Sequence, residues 1–164
     1  MNHTAKILFS VLLLIAAGCG NRCDKVLCHN GGECFEGDCI CSKWYSGEAC
    51  DLMYNRNYTG TYLSERTSLS GNIVKDTITI SAHSYIPNRL MIDEYELYFD
   101  FETDSTIVIP KQEWHMDSEA TVSITGYGEY SDMVFMLYFS ELDVRSEGTS
   151  HSADVYAISA TKLE

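Results

Sequence analysis

Proline is almost missing from this chain, with only Pro87 and Pro110 in 164 residues. Together with a hydrophobic content of 45%, that scarcity argues for a folded chain rather than a disordered one. Cysteine is absent from Asp51 onward, although seven occur between Cys19 and Cys50. This break in composition marks a domain boundary. Basic residues are few: 11 Lys and Arg stand against 24 Asp and Glu, for a net charge of −13. Such a surface repels nucleic acid and anionic lipid headgroups, so no nucleic-acid partner is expected. Beyond the N-terminal segment there is no long apolar run, and none reaches the ~20 residues that span a bilayer. No G-x-S-x-G elbow is present. The length suits one ordinary domain, or one domain plus a small module.

Residues 1–18 read as an export signal. Lys6 supplies the positive end, "ILFSVLLLIAA" the apolar stretch and "AAG" the small residues of a cleavage site. Export places the chain where disulfides persist. "IAAGC" resembles a bacterial lipobox, with Ala17 and Gly18 before a cysteine that is lipidated and becomes the first residue. Ala16 departs from the commoner leucine. Ordinary cleavage after Gly18 is the competing reading, but it leaves Cys19 as an unpaired thiol. The resemblance implies lipidation at Cys19, a bacterial source and a membrane partner held through lipid. Two or more acyl chains hold a protein stably where one does not. Gly20 is not the aspartate that retains lipoproteins in the inner membrane. The expected location is therefore the outer membrane, on its periplasmic or its surface face, with residues 19–22 as tether.

The other six cysteines read C-x4-C-x5-C-x4-C-x-C-x8-C, with "HNGG" before the third and "WYSGEAC" at the end. Over residues 23–50 this resembles an EGF-like domain. The resemblance implies the pairs Cys23–Cys34, Cys28–Cys39 and Cys41–Cys50. So short a segment cannot bury enough apolar surface to fold alone. Each bridge adds ~2–4 kcal/mol by restricting the unfolded chain. Asn30-Gly31 is a turn signal, and "ECFE" and "DCIC" about Gly37 read as a hairpin. Trp44 stands where the family often has glycine, while Tyr45 and Gly47 match. "GNR" before the first cysteine and Glu36 after the third lack the family's calcium ligands, so no calcium site is expected. A structural zinc site is disfavoured by export and by the full spacing.

Residues 51–57 read as a linker, and residues 58–164 as a series of β-runs. In "IVKDTITI", Val74, Ile78 and Ile80 alternate with Lys75, Thr77 and Thr79. In "YELYFDFET", Tyr95, Leu97, Phe99 and Phe101 oppose Glu94, Glu96, Asp100 and Glu102. "TIVIPKQEW", "TVSITGYGEY", "MVFMLYFSEL" and "ADVYAISATKL" follow, divided by "TDS", "DSE", "YSD" and "SEGTSHS". Short strands at regular spacing predict an all-β fold. The expected form is an antiparallel meander barrel of about eight strands, with a sandwich as the alternative. A sheet so apolar on one face must close or pack on another to cover its edges. "YTGTY", "IPKQ" and "ITGYGEY" are similar to stretches in small lipocalin-like barrels appended to bacterial lipoproteins.

Chemistry is sparse. His83, His115 and His151 show no metal-ligand spacing and read as ordinary residues. The acidic row on "YELYFDFET" reads as a solvated face rather than paired catalysts. "GYGEY" lacks the third glycine of a phosphate loop and reads as a strand where backbones pack closely. No enzyme, cofactor or metal is expected. The inward set Tyr95, Leu97, Phe99, Phe101, Met133, Phe135 and Leu137 is bulky, which predicts a mostly filled barrel acting as a display or adhesion platform. A cavity of several hundred Å³ points instead to a lipocalin-like carrier of a small apolar ligand or glycan. The candidate contacts for a protein or glycan partner are Trp44, Tyr45 and Trp114. Met136 joins them on the second face of "MVFMLYF", which it shares with Val134 and Tyr138.

Overall fold

The computed structural model describes residues 22–115, 120–145 and 151–163. The expected signal segment and Cys19 lie outside the described residues. The chain divides into two compact units, Met1–Leu52 and Met53–Glu164.

The first unit holds three bridges, Cys23–Cys34, Cys28–Cys39 and Cys41–Cys50, with Cα separations of 5.8, 5.6 and 5.2 Å. Strands β1 (Glu33–Phe35) and β2 (Asp38–Ile40) form a hairpin with Cys34 opposite Cys39. Its two turn residues, Glu36 and Gly37, both have positive φ, as a type I′ turn requires. A second small sheet joins β3 (Tyr45–Ser46) to β4 (Leu52–Met53). Gly32 cannot be replaced without movement, since a Cβ there would sit 2.8 Å from Cys50 Sγ. The Asn30 side chain donates to Cys50 O at 2.8 Å, and Ser42 Oγ donates to Asn30 O at 2.6 Å. Cys50 is the buried centre, while Leu27, Phe35 and Ile40 are 72%, 63% and 59% exposed. With so little apolar burial, the bridges carry the stability.

The second unit begins with a 3-10 turn, Tyr54–Tyr58. Eight strands follow: β5 (Gly60–Ser68), β6 (Ile73–Ala82), β7 (Arg89–Ile92), β8 (Leu97–Phe101), β9 (Thr106–His115), β10 (Ala120–Ser131), β11 (Val134–Arg145) and β12 (His151–Lys162). Each pairs antiparallel with the next, and β12 pairs back onto β5 through Tyr156↔Ser68 to Lys162↔Tyr62. The result is a closed barrel, not a sandwich. Closure leaves no free sheet edge at that seam.

Alternation sends Tyr62, Ile78, Ile80, Leu90, Ile92, Leu97, Phe99, Phe101, Ile107, Ile109, Phe135, Leu137, Ile158 and Ala160 inward. Two members of the expected inward set do not join them. Tyr95 belongs to a 3-10 turn, Asp93–Tyr95, which ends at left-handed Glu96 before β8 begins. Met133 has φ +67°, sits in the two-residue turn between β10 and β11, and is 51% exposed. The acidic row dissolves for the same reason. Both carboxylate oxygens of Glu94 accept from Thr79 N–H at 2.9 Å, while Asp100 holds Arg89 bidentately at 2.7 and 2.8 Å.

On β9, Pro110 and Lys111 together face Thr125, because Ile109 pairs with Gly126 and Gln112 with Ile124. A bulge tolerates a proline, and it shifts the alternation by one residue. Gln112, not Lys111, is therefore buried. "GYGEY" behaves as a strand with close backbones: a Cβ on Gly126 would lie 2.7 Å from Phe139 Cα, and one on Gly128 2.5 Å from Met136 O.

One half of the barrel is packed with rings. Phe135 lies 4.6 Å from Tyr130 and 5.4 Å from both Tyr62 and Phe99, centroid to centroid. The turn read as part of the linker stoppers this end. Tyr58 sits 4.7 Å from Phe101 and 4.9 Å from Tyr130. Asn55 is fully buried, and its amide nitrogen donates to the carbonyls of His83, Ile86 and Arg89 at 3.0, 2.9 and 2.9 Å.

Burial pushes the Tyr54, Tyr58, Tyr62 and Tyr130 hydroxyls above the usual value of 10.0, with the Tyr54–Tyr58 hydrogen bond raising Tyr58 further. An acid whose folded pKa is raised stabilises the fold below its unfolded pKa and loses that contribution as pH rises beyond it. The thermal midpoint is therefore expected to fall steeply as pH climbs from about 9 to about 11. A flat midpoint over that range, measured by circular dichroism, would contradict the packed tyrosine end.

Candidate functional site

Among the described residues, the end opposite the stopper is not filled by side chains. Past Tyr62 and Ser64, the inward side of β5 continues to Arg66. The inward sides of β10 and β11 continue to Val122 and Ile124, and to Phe139 and Glu141. Because of the bulge, β9 presents Trp114. These residues, with Asp93, Glu94, Tyr95, Glu96 and Leu97 from the turn and the start of β8, line a cavity of about 420 Å³. That volume lies within the range of small-molecule sites. Among the described residues, the ring-packed core lies toward the stopper and this hollow lies at the other end, where a mostly filled barrel was expected.

Buried Leu97 and Phe139 give the cavity an apolar lining, extended by half-buried Val122 and Ile124. Its charge is mixed. The Arg66 guanidinium lies 5.3 Å from the Tyr95 ring and 5.5 Å from the Tyr156 ring, so both rings hold it by cation–π attraction. Burial raises the Tyr156 hydroxyl pKa, as do Glu141 and Asp154 nearby, against a lowering by Arg66. Among the described residues, the side chains of Arg66, Glu96, Trp114 and Glu141 make no hydrogen bond or ion pair. Water-accessible polar groups without a protein partner, beside an apolar lining, are available to a ligand.

The wall beside the cavity is thin. β8 and β9 pair only through Asp100↔Val108 and Phe101↔Ile107. Beyond that, the Gln112 side chain substitutes for a strand: its Nε2 donates to Tyr98 O at 2.7 Å and its Oε1 accepts from Tyr98 N–H at 2.9 Å. A second hollow of about 420 Å³, lined by Glu96, Tyr98, Lys111, Gln112, Glu113 and Trp114, lies along this gap.

Of the contacts expected from sequence, Trp114 reaches the mouth. Trp44 and Tyr45 belong to the N-terminal unit and contribute nothing to the lining. Trp44 has φ +72° and carries Lys43 Nζ 4.4 Å from its ring. Met136 is half-buried on the face of β11 away from the core, next to Glu129 and Ser159. On that same face Tyr127 and Tyr138 stack with centroids 5.4 Å apart. His83 is structural, its Nδ1 accepting from the backbone N–H of Tyr85 and Ile86. Among the described residues no three His, Cys, Asp or Glu side chains converge as a metal set. The sequence reading missed Arg66, Gln112, Phe139, Glu141 and Tyr156. Arg66 carried a signal: it is a charged residue in phase with Tyr62 and Ser64.

The fold defines a class: a three-disulfide segment followed by a closed eight-stranded up-and-down β-barrel with one end packed by aromatic rings. No family model, curated protein or solved structure matches the chain.

Proposed function

We propose that this is a non-enzymatic binding protein of the bacterial cell envelope, anchored by lipid at Cys19. An EGF-like module would precede a lipocalin-like barrel whose mouth takes a small ligand. The mouth cavity carries the reading. It combines an apolar lining with polar groups that have no partner among the described residues. The display or adhesion reading, with Met136 and the outer face as contact surface, is the second one. The hollow at the mouth shifts the balance from display toward the carrier. Lipid anchoring rests on the lipobox-like "IAAGC" and on the even pairing of the six other cysteines.

Two results are expected. The full chain should partition into a detergent phase, and Cys19→Ala should leave it; unchanged partitioning refutes the anchor. The neutral fluorophore 1-aminoanthracene should bind the mature protein at one site with enhanced emission. Ile124→Trp, which fills the mouth with a larger apolar group, should abolish that binding while leaving the barrel folded. Equal enhancement in the filled variant would remove the mouth as the site.

A further inference from the structure

The two hollows share Glu96 and Trp114. One lies inside the mouth and the other along the gap between β8 and β9, so a ligand seated in the first can continue into the second past the Trp114 ring. We infer that they form a single groove through the barrel wall for a neutral, linear chain of hydroxylated rings, an oligosaccharide. This rests on the mouth being a ligand site.

The chemistry of the lining selects the class. Arg66 and Trp114 donate hydrogen bonds, Glu96 and Glu141 accept them, and none of the four has such a partner among the described residues. In the outer hollow Lys111 and Glu113 neutralise each other. Of the other carboxylates in the lining, Asp93 already accepts from Ser81 Oγ and Glu94 from Thr79 N–H; an anionic ligand would meet all four acids, and a cationic one would meet Arg66. Hydroxyl groups both donate and accept, so they suit both signs of charge at once. The Trp114 ring offers a flat apolar surface for the C–H face of a sugar ring; the Tyr95 and Tyr98 rings each already carry a guanidinium, of Arg66 and Arg89, on one face. An extended peptide fits less well. Strand addition needs a free backbone edge, and at Tyr98 both the N–H and the carbonyl are already taken by Gln112.

The mature chain carrying Trp44→Phe leaves Trp114 as its only tryptophan. Its emission should be titrated with glucose, maltose and maltotriose, and with cellobiose and cellotriose. In at least one series the dissociation constant should fall by about tenfold or more from one ring to three, the scale of one added charge-assisted hydrogen bond. The double variant Lys111→Ala/Glu113→Ala changes only exposed side chains, and should return the trisaccharide to monosaccharide affinity. Affinity that does not change with length, a double variant that binds the trisaccharide undiminished, or no response to any saccharide overturns the inference. So does trialanine competing more tightly than every saccharide, which would make the groove a peptide site. If 1-aminoanthracene still binds the mouth in any of these cases, the groove falls and the mouth reading stands.

Discussion

Asn55→Asp is expected to destabilise the barrel by about 3–5 kcal/mol, the scale of an uncompensated buried charge. The two side chains have nearly the same shape, so packing does not change. What changes is the group facing three carbonyl oxygens at 2.9–3.0 Å. The amide nitrogen donates there; a carboxylate would place a fourth oxygen among them with no water to screen it. The variant's carboxyl pKa would be raised in the folded state. Its stability is then greatest below the unfolded value of about 3.9 and is lost as pH rises through the folded value. Urea unfolding at neutral pH measures the effect. Asn57→Asp, at an exposed neighbour on the same turn, is the control and should stay within about 0.5 kcal/mol of the parent. A loss below about 1 kcal/mol at Asn55 would show that the turn does not hold the end of the barrel.

Phe135→Ala is expected to lose about 3–5 kcal/mol. The ring is fully buried and meets those of Tyr58, Tyr62, Phe99, Phe101 and Tyr130. These neighbours come from the stopper turn and from β5, β8 and β10. Removing the ring leaves a cavity that strands fixed by closure cannot collapse to fill. Binding at the mouth should survive, because Phe135 lies in the other half. A cost near 1 kcal/mol would mean that the aromatic end is loosely packed.

The first unit was legible because its structure is covalent. Spacing left the pairing open, and the resemblance to an EGF-like domain implied the bridges that form. The barrel was legible in its strands, since alternation and turn residues are local signals. Closure was expected only from the need to cover sheet edges, because inward–outward alternation is the same in a sandwich and a barrel, and the β12–β5 seam joins distant residues. Tyr95 and Met133 were misplaced for one reason: each is an apolar turn residue that continues the period of the neighbouring strand. The mouth was missed because a period-two reading runs through Pro110 without a break. The bulge there moves the inward phase from Lys111 and Glu113 to Gln112 and Trp114. A proline inside an alternating run was the available signal. Asn55 was read as linker because a buried amide nitrogen held by the distant carbonyls of His83, Ile86 and Arg89 has no short-range pattern.

The central claim is that the barrel mouth is a ligand site. The most direct measurement is a map of backbone amide chemical-shift changes across the mature chain on titration with 1-aminoanthracene. Shifts should concentrate at Arg66, Glu96, Leu97, Trp114, Ile124, Phe139 and Glu141, which line the cavity with four others. Shifts centred instead on Tyr127, Met136 and Tyr138, or on the disulfide-bridged segment, would contradict it.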